Sequence, residues 1–237
     1  MKNKDKKTRE LTSETVKEIG QIAGADIVGI AAAHEFSSAP EGFRPFDYLD
    51  ECLSVVVLGC SFPKEALLKT PKEYKVMRDE ITIKMSNLAK EVKQQIKLKG
   101  FKAKSISSTG GKWIECNLNE SKDLFGHISL KHAAELAGLG VIGRNYLLTN
   151  AEYGNLLWFS AVLTNADLIP DKKVQNTICD DCNKCVVACP SKALDNKSSF
   201  GKKGCSSAMY KMVDGKWEFN CFLCRKICPN RFGKINS

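Results

Sequence analysis

The chain has 237 residues, of which 43% are hydrophobic, and its 36 lysines and arginines exceed its 27 aspartates and glutamates to give a formal net charge of +9. This length allows one large domain, or one domain with a smaller appendix. No stretch approaches the roughly 18 consecutive apolar residues of a membrane span, and the N-terminal charge run MKNKDKKTRE lacks the apolar core of a secretory signal. The sequence therefore predicts a soluble, cytoplasmic protein.

The first third of the chain predicts a helix followed by two strands. Apolar residues recur at helical spacing over 11–24, and the short apolar run at 25–32 has the length of a strand. The segment SVVVLG at 54–59 is a β-branched run, which is typical of a buried strand.

The middle of the chain contains the longest helical pattern. Apolar residues share one face over 72–99, and Gly100 stands where a helix C-cap favours glycine. Residues 101–108 alternate as a strand does. After an irregular stretch, Ser129 is placed to cap the helix LKHAAELAG, and the apolar run at 156–164 predicts another buried strand.

The cysteines divide the chain into two predicted domains, 1–170 and 171–237, with the boundary at Pro170 and Asp171. Eight of the eleven cysteines lie within the last 59 residues. Thiols stay reduced in a cytoplasm, so clustered cysteines indicate metal binding more than disulfides.

The first cysteine motif is CDDCNKCVVACP, which begins at Cys179 and ends at Pro190. It matches the bacterial ferredoxin pattern CxxCxxCxxxCP, in which three thiolates bind one [4Fe-4S] cluster and the fourth binds a second cluster. Structural zinc separates two CxxC pairs by a dozen residues or more, so this dense spacing argues against a zinc site.

The second motif, CFLCRKICP, holds only the last part of that pattern, and Cys205 lies sixteen residues before it as the missing ligand. The predicted ligation is therefore crossed. We expect one cluster, which we call the first, on Cys179, Cys182, Cys185 and Cys228. The other, which we call the second, is expected on Cys205, Cys221, Cys224 and Cys189.

The positive charge is concentrated around these motifs. From Asp171 onward there are 13 basic and 6 acidic residues, whereas the first 170 residues have 23 and 21. A four-iron cluster with four thiolates carries about −2, so two clusters would offset roughly four of these positive charges. We interpret the surplus as counter-charge and solvated surface rather than as a nucleic-acid patch.

A glycine-rich segment, AGLGVIGRN, follows the predicted helix and contains Gly138, Gly140 and Gly143 in a formal GxGxxG pattern. A dinucleotide-binding loop of this pattern follows a strand and opens a helix, whereas this one ends a helix. The glycines therefore indicate close backbone approach, either to a bulky ligand or to another segment of the chain.

This segment belongs to a longer likeness. KHAAELAGLGVIGRN at 131–145, the strand LLWFSAVLTNADL, the run CxxCxxCxxxCP and a lone cysteine before a shortened final motif together resemble the epoxyqueuosine reductases and the reductive dehalogenases. The resemblance implies an α/β (α+β) fold, in which a nitroreductase-like corrinoid-binding domain precedes a small ferredoxin-like domain with two clusters.

The resemblance also implies a function. Two [4Fe-4S] clusters would pass electrons to a cobalamin, which would drive a two-electron reduction of a modified nucleoside or a small organic substrate. Gly138, Gly140, Gly143 and Asn145 would line the corrinoid. An external low-potential electron donor of the ferredoxin or flavodoxin type would act as a partner, and tRNA is a possible substrate.

Departures from the family pattern concern the proton donor and the pocket. The family places a general-acid aspartate shortly before this helix, where the chain has Leu124; a one-residue gap would align Asp123 instead. His127 and His132 are alternative donors, since histidine titrates near neutrality. At Arg144 the family has a lysine. The chain also stops soon after the cysteine motifs, without the helical extension of longer relatives, which puts a tRNA substrate in question.

Two alternatives remain open from the sequence. One is a ferredoxin-like electron carrier, or a partner that reduces the corrinoid of another protein, and the missing aspartate favours it. The other is a flavin-dependent reductase on the same fold.

Overall fold

A computed structural model describes residues 11–109, 114–118, 121–125, 128–175, 179, 182–195, 205 and 208–234, with only the backbone of 114–118 and 121–125. The helices are α1 (Ser13–Ile22), α2 (Pro71–Leu98), α3 (Leu130–Leu136), α4 (Lys184–Val187) and α5 (Leu223–Lys226). The strands are β1 (Ile27–Ala32), β2 (Ser54–Ser61), β3 (Ala103–Ile106), β4 (Ile114–Leu118), β5 (Ser121–Phe125), β6 (Val141–Ile142), β7 (Leu148–Thr149), β8 (Leu157–Thr164), β9 (Tyr210–Val213) and β10 (Lys216–Phe219). Short 3-10 helices cover Ala33–Phe36, Pro45–Asp47 and Lys64–Leu68.

The central element is a four-stranded antiparallel sheet with the strand order β1-β2-β8-β3. Strand β2 lies between β1 and β8, so that Val56 is opposite both Ile30 and Val162. Residues 54–60 of β2 are all buried. A strand covered on both faces needs a continuous apolar run, which explains the sequence SVVVLG.

Helices cover both faces of this sheet. Alternating side chains of β2 divide between two hydrophobic clusters, because successive side chains of a strand point to opposite faces. Val56 and Leu58 pack in the cluster that contains Met85 and Val92 of α2, whereas Val57 packs with residues of α3 on the opposite face. The predicted mixture of helix and sheet is confirmed, as is the position of each strand of the central sheet.

Helix α2 begins and ends where its sequence signals lie. Thr70 forms a capping box with Glu73: the Thr70 hydroxyl accepts from the Glu73 backbone N–H at 3.3 Å, and the Glu73 carboxylate accepts from the Thr70 N–H at 2.9 Å. Gly100 has a φ of 94°, which completes the predicted C-cap.

The stretch before α3, which the sequence predicts to be irregular, contains two strands. Strands β4 and β5 pair as an antiparallel hairpin that is separate from the central sheet. Each of these strands has only five residues, so their sequence lacks the long apolar run that identified β2 and β8.

The segment after the predicted boundary is attached to the main sheet. The backbone N–H of Asp171 donates to the carbonyl of Ile30 at 2.8 Å, and its carboxylate accepts from the Ile30 N–H at 2.9 Å and from Lys17. Further on, Phe219 is buried in the same hydrophobic cluster as α2. The division at residue 170 stays a prediction, and the cluster contains residues from both sides of it.

The described helices include none that is both long enough and apolar enough to cross a membrane.

Candidate metal centre

The first group of cysteines surrounds one pocket. The pocket is lined by all four of them, Cys179, Cys182, Cys185 and Cys228. They meet there although Cys228 comes 43 positions after Cys185 in the sequence. The pKa of Cys185 is raised chiefly by desolvation and also by Cys179 and Cys228, which indicates that these thiols are close. The structure therefore brings together the four cysteines that the crossed arrangement assigns to the first cluster.

The second group forms around Cys205. Electrostatic interactions connect Cys205 with Cys189 and Cys221, and Cys224 with Cys205 and Cys221. Cys224 also interacts with Cys185 of the first group, so the two groups are neighbours. Their ligation of two clusters stays a prediction, since no metal is part of the structure.

Burial and crowding make three of these thiols, Cys185, Cys205 and Cys224, hard to ionise on their own. The pKa of Cys224 is raised to about 11, chiefly by desolvation; Arg225 opposes this rise and the neighbouring cysteines add to it. Desolvation also raises the pKa of Cys185 and that of Cys205. Bound iron supplies the missing positive charge and holds such thiols deprotonated, so this donor set fits an iron–sulfur cluster.

The spacing of these thiols differs from that of a site for a single ion. Among the described residues, no three His, Cys, Asp or Glu side chains lie close enough to share one metal ion. In a four-iron cluster each thiolate binds a different iron, so its four cysteines stand farther apart than the ligands of one zinc ion.

The glycine segment shapes one wall of the first pocket. Gly143 and Asn145 line it, and a Cβ on Gly143 would lie 3.6 Å from the Cβ of Cys179. The backbone N–H of Arg144 points to the sulfur of Cys179 at 3.4 Å, and its guanidinium donates to the carbonyl of Asp195 at 3.1 Å. The segment thus holds the start of the first cysteine motif.

Gly138 and Gly140 are used for close packing within the chain. Gly138 has a φ of 70°, and a Cβ there would lie 2.4 Å from the carbonyl oxygen of Lys172. Gly140 has a φ of 153°, and a Cβ there would lie 2.3 Å from the carbonyl oxygen of Thr149. Of the two explanations for these glycines, approach to another segment of the chain is therefore the one that the structure shows.

Asn145 is engaged with protein groups on both ends of its amide. It is 5% exposed, its Nδ2 donates to the carbonyl of Cys224 at 3.3 Å, and its Oδ1 accepts from the backbone of Leu147 at 3.1 Å. It therefore fixes the second cysteine motif against the glycine segment. The corrinoid contacts expected of Asn145 and the three glycines stay predictions.

The candidate proton donors lie in different surroundings. Asp123 is in strand β5 opposite Cys116, where only the backbone is described, and His127 lies outside the described residues. The ring of His132 shares a 2.7 Å hydrogen bond with the hydroxyl of Ser129. Desolvation, followed by the charge of Lys131, lowers the pKa of His132, so its neutral form predominates at pH 7.

Sequence reasoning missed Arg225 and Asn155, which lie beside the second group. Arg225 is 8% exposed and Asn155 is 1% exposed. The side chain of Arg225 donates to the carbonyl of Asn155, and Nδ2 of Asn155 donates to the carbonyl of Arg225 at 3.3 Å. The motif CFLCRKICP places an arginine between two predicted ligand cysteines, but nothing in the pattern shows that its side chain is buried.

The chain is similar to known epoxyqueuosine reductases. It is 29% identical over 119 residues to that of Bacillus subtilis (strain 168), which covers 46% of this chain and 31% of the relative. It is 26% identical over 219 residues to that of Lactococcus garvieae (strain Lg2), which covers 88% of this chain and 60% of the relative. The chain thus spans less than two thirds of the length of these relatives. No protein-family model matches it.

Solved structures of epoxyqueuosine reductases and reductive dehalogenases have a similar fold. An epoxyqueuosine reductase in complex with an epoxyqueuosine-modified tRNA stem loop aligns with a TM-score of 0.61 and 20% identity, over 94% of this chain and 66% of the other. A reductive dehalogenase, whose structure suggests a mechanism for B12-dependent dehalogenation, aligns with a TM-score of 0.58 and 19% identity, over 93% and 29%. The chain is therefore similar in sequence to epoxyqueuosine reductases and shares a fold with them and with the reductive dehalogenases.

Proposed function

We propose that the protein is an iron–sulfur oxidoreductase that passes electrons through two [4Fe-4S] clusters to a bound cobalamin for a two-electron reduction. The observation that carries this proposal is the crossed gathering of the cysteines: Cys228 joins the first motif at its pocket, and Cys189 joins Cys205. Two cysteine groups that adjoin through Cys185 and Cys224 provide a short path for electrons.

The entry side for electrons is an open groove at the second group. Cys221 lines this groove together with Phe222, Lys69 and Lys226. Two lysines beside a ligand cysteine favour an acidic partner, because opposite charges speed up association and orient it. This supports an external low-potential donor of the ferredoxin or flavodoxin type.

The cobalamin part of the proposal depends on the relatives, one of which is described with B12-dependent chemistry. The residues here fit a corrinoid in part. Gly143 and Asn145 lie at the first pocket and would approach it, whereas the Cβ positions of Gly138 and Gly140 are filled by the chain itself. A bound corrinoid would supply low-valent cobalt as the reductant of the substrate.

The substrate class proposed is a modified nucleoside or a small organic molecule. A relative is known in complex with a modified tRNA stem loop, which supports a nucleoside, and tRNA itself is a further candidate. The reduction also needs a proton, for which Asp123, His127 and His132 are the candidates. Because the pKa of His132 is lowered, it would deliver a proton best below pH 7.

A second candidate function is electron transfer without a substrate of its own. The packing of Gly138 and Gly140 against Lys172 and Thr149 favours it, since these glycines then have a structural explanation without a cofactor. In that case the protein would be a ferredoxin-like carrier or would reduce the corrinoid of another protein. A flavin in place of the corrinoid is the remaining alternative.

The test is anaerobic reconstitution with iron, sulfide and hydroxocobalamin, followed by gel filtration and metal analysis. We expect about eight irons and one cobalt per chain. Eight irons without cobalt would contradict the cobalamin part and favour the carrier, or a flavin if one shows in the visible spectrum after the clusters are bleached. Four irons or fewer would contradict the two-cluster proposal itself.

Substrate class is tested with the reconstituted protein. Binding of tRNA with a steep dependence on salt would support a polynucleotide substrate, because each contacted phosphate releases counterions. Turnover of free halogenated compounds or nucleosides without tRNA binding would favour a small substrate.

A further inference from the structure

Arg225 stands out because, of the residues whose burial is described, it is the one charged residue that is buried, at 8% exposure. Its guanidinium lies 4.7 Å above the ring of Trp158 and donates to the carbonyl of Asn155. Both partners belong to the chain around β8. The segment that contains Asn155 and Trp158 therefore holds the Arg225 side chain in place.

The cation has no acidic partner in the part of the chain that the structure describes. None of the ion pairs between described residues involves Arg225. A carbonyl and an aromatic face offset only part of the cost of removing a guanidinium from water. Charges are buried in proteins when a counter-charge is near, and a protein that keeps an unpaired one loses stability.

The second cysteine group adjoins this cation along the chain. Arg225 follows Cys224 directly in helix α5, so the buried charge belongs to the residue next to a predicted ligand of that group. Once four thiolates and a cluster are present, this group has a net charge of about −2. The buried cation and the negative charge of the cluster would then compensate each other.

We propose that Arg225 is the counter-charge of the cluster held by Cys189, Cys205, Cys221 and Cys224, and that it raises the reduction potential of that cluster. The inference relies on the two clusters of the proposed function. Reduction adds one electron from the donor and therefore one negative charge, with no bond formed or broken. A fixed positive charge stabilises the reduced form more than the oxidised form.

Arg225 is a positioning residue in this scheme, since it acts on the electron through the cluster. The second cluster would lie at the groove beside Cys221. A raised reduction potential makes this cluster the better acceptor for an electron that arrives from the external donor.

The experiment is a redox titration of the reconstituted full chain, followed by electron paramagnetic resonance, for the wild type and three variants. Arg225→Gln removes the charge, Arg225→Lys keeps it, and Lys226→Gln removes an exposed charge from the next position as the matched control. For Arg225→Gln we expect the equilibrium constant for reduction of one cluster to fall about tenfold, equivalent to about 59 mV for one electron.

The other cluster of Arg225→Gln should keep its potential, and Arg225→Lys should stay near the wild type. The exposed charge of Lys226 is screened by water and salt, so Lys226→Gln should shift neither cluster to that extent. Loss of one cluster in Arg225→Gln with retention in Arg225→Lys would equally support a counter-charge.

Three results would overturn the inference: unchanged potentials in a fully loaded Arg225→Gln, an equal effect of Arg225→Lys, or an equal shift in Lys226→Gln. Unchanged potentials would show that the charge of Arg225 does not affect the cluster. An equal effect of Arg225→Lys would show that packing rather than charge sets the potential. The iron content of the wild type keeps this separate from the proposed function, because a wild type without eight irons would contradict that proposal instead.

Discussion

The last cysteine of each motif is the residue whose partners depend most on the fold. In the crossed arrangement Cys228 belongs with Cys179, and Cys189 belongs with Cys205, and the structure brings these pairs to common sites. In an uncrossed arrangement Cys189 would instead complete the site of Cys179. The two arrangements use the same eight cysteines and differ only in which cluster Cys189 and Cys228 bind. Variants that remove two cysteines at once can therefore distinguish them.

Double serine variants test the crossing. Cys179→Ser with Cys228→Ser removes two ligands of one cluster, so we expect about four irons per chain to remain. Cys179→Ser with Cys189→Ser removes one ligand from each cluster, so we expect both clusters to be weakened and the iron content to fall below that of the first pair. Iron and sulfide analysis after gel filtration gives the result.

The matched control for these variants is Cys60→Ser, since Cys60 is buried in the main core, far along the chain from either motif. It should keep about eight irons. If the pair of Cys179 and Cys189 kept more iron than the pair of Cys179 and Cys228, ligation would be uncrossed.

At the scale of elements, helices α2 and α3 end in the same way. The N–H of Gly100 donates to Lys97 at 2.9 Å and that of Phe101 to Ile96 at 3.4 Å; Gly138 donates to Glu135 at 3.1 Å and Leu139 to Ala134 at 2.9 Å. This is the Schellman pattern, which favours glycine because its φ is positive. The two ends differ in their surroundings, because nothing lies within 4 Å of a Cβ built on Gly100, whereas a carbonyl fills that position at Gly138.

Alanine at these two positions separates conformational strain from packing. Gly100→Ala should cost about 1 kcal/mol of unfolding free energy, through its positive φ alone. Gly138→Ala bears the same strain and must also displace the backbone of Lys172, so we expect a loss of about 2 to 4 kcal/mol. Urea unfolding followed by circular dichroism measures both, and equal losses would contradict the close approach at Gly138.

At the scale of the whole molecule, an aromatic stack joins the two predicted domains. Tyr74 of α2 is 2% exposed, stacks on Phe222 with ring centroids 4.0 Å apart, and lies parallel to Phe219 at 5.6 Å. Phe222 is next to Cys221, a predicted ligand of the second cluster. The segment that carries the second cysteine motif therefore packs directly against helix α2 of the first predicted domain.

This shared core predicts cooperative unfolding. In the wild type we expect the loss of far-ultraviolet circular dichroism and the loss of iron–sulfur absorption to coincide in urea. Tyr74→Ala should shift both transitions together to lower urea, by about 3 to 5 kcal/mol in unfolding free energy, whereas the control Tyr74→Phe keeps the ring and should cost far less. Separate transitions in the wild type would indicate that the two parts fold independently.

The sequence by itself determined the elements that have a strong local pattern. Helix α2 could be predicted because its apolar face and both of its caps are local, and β2 and β8 because a strand buried on both faces must be continuously apolar. The two groups of four cysteines were predicted from the spacing of cysteines along the chain, and their binding of two clusters stays a prediction. The family resemblance came from motifs of the same local kind.

Only the tertiary structure decided features that depend on distant partners. Strands β4 and β5 pair as a separate two-stranded sheet, and each has only five residues, so no long apolar run marks them. Gly138 looked equally suited to a ligand or to a neighbouring segment until Lys172 was seen to fill the space. The burial of Arg225 follows from Trp158 and Asn155, which are about 70 residues away in the chain and come close only when α5 packs on β8. A charged residue in a short motif carries no local sign of burial, because burial is set by what the rest of the chain places over it.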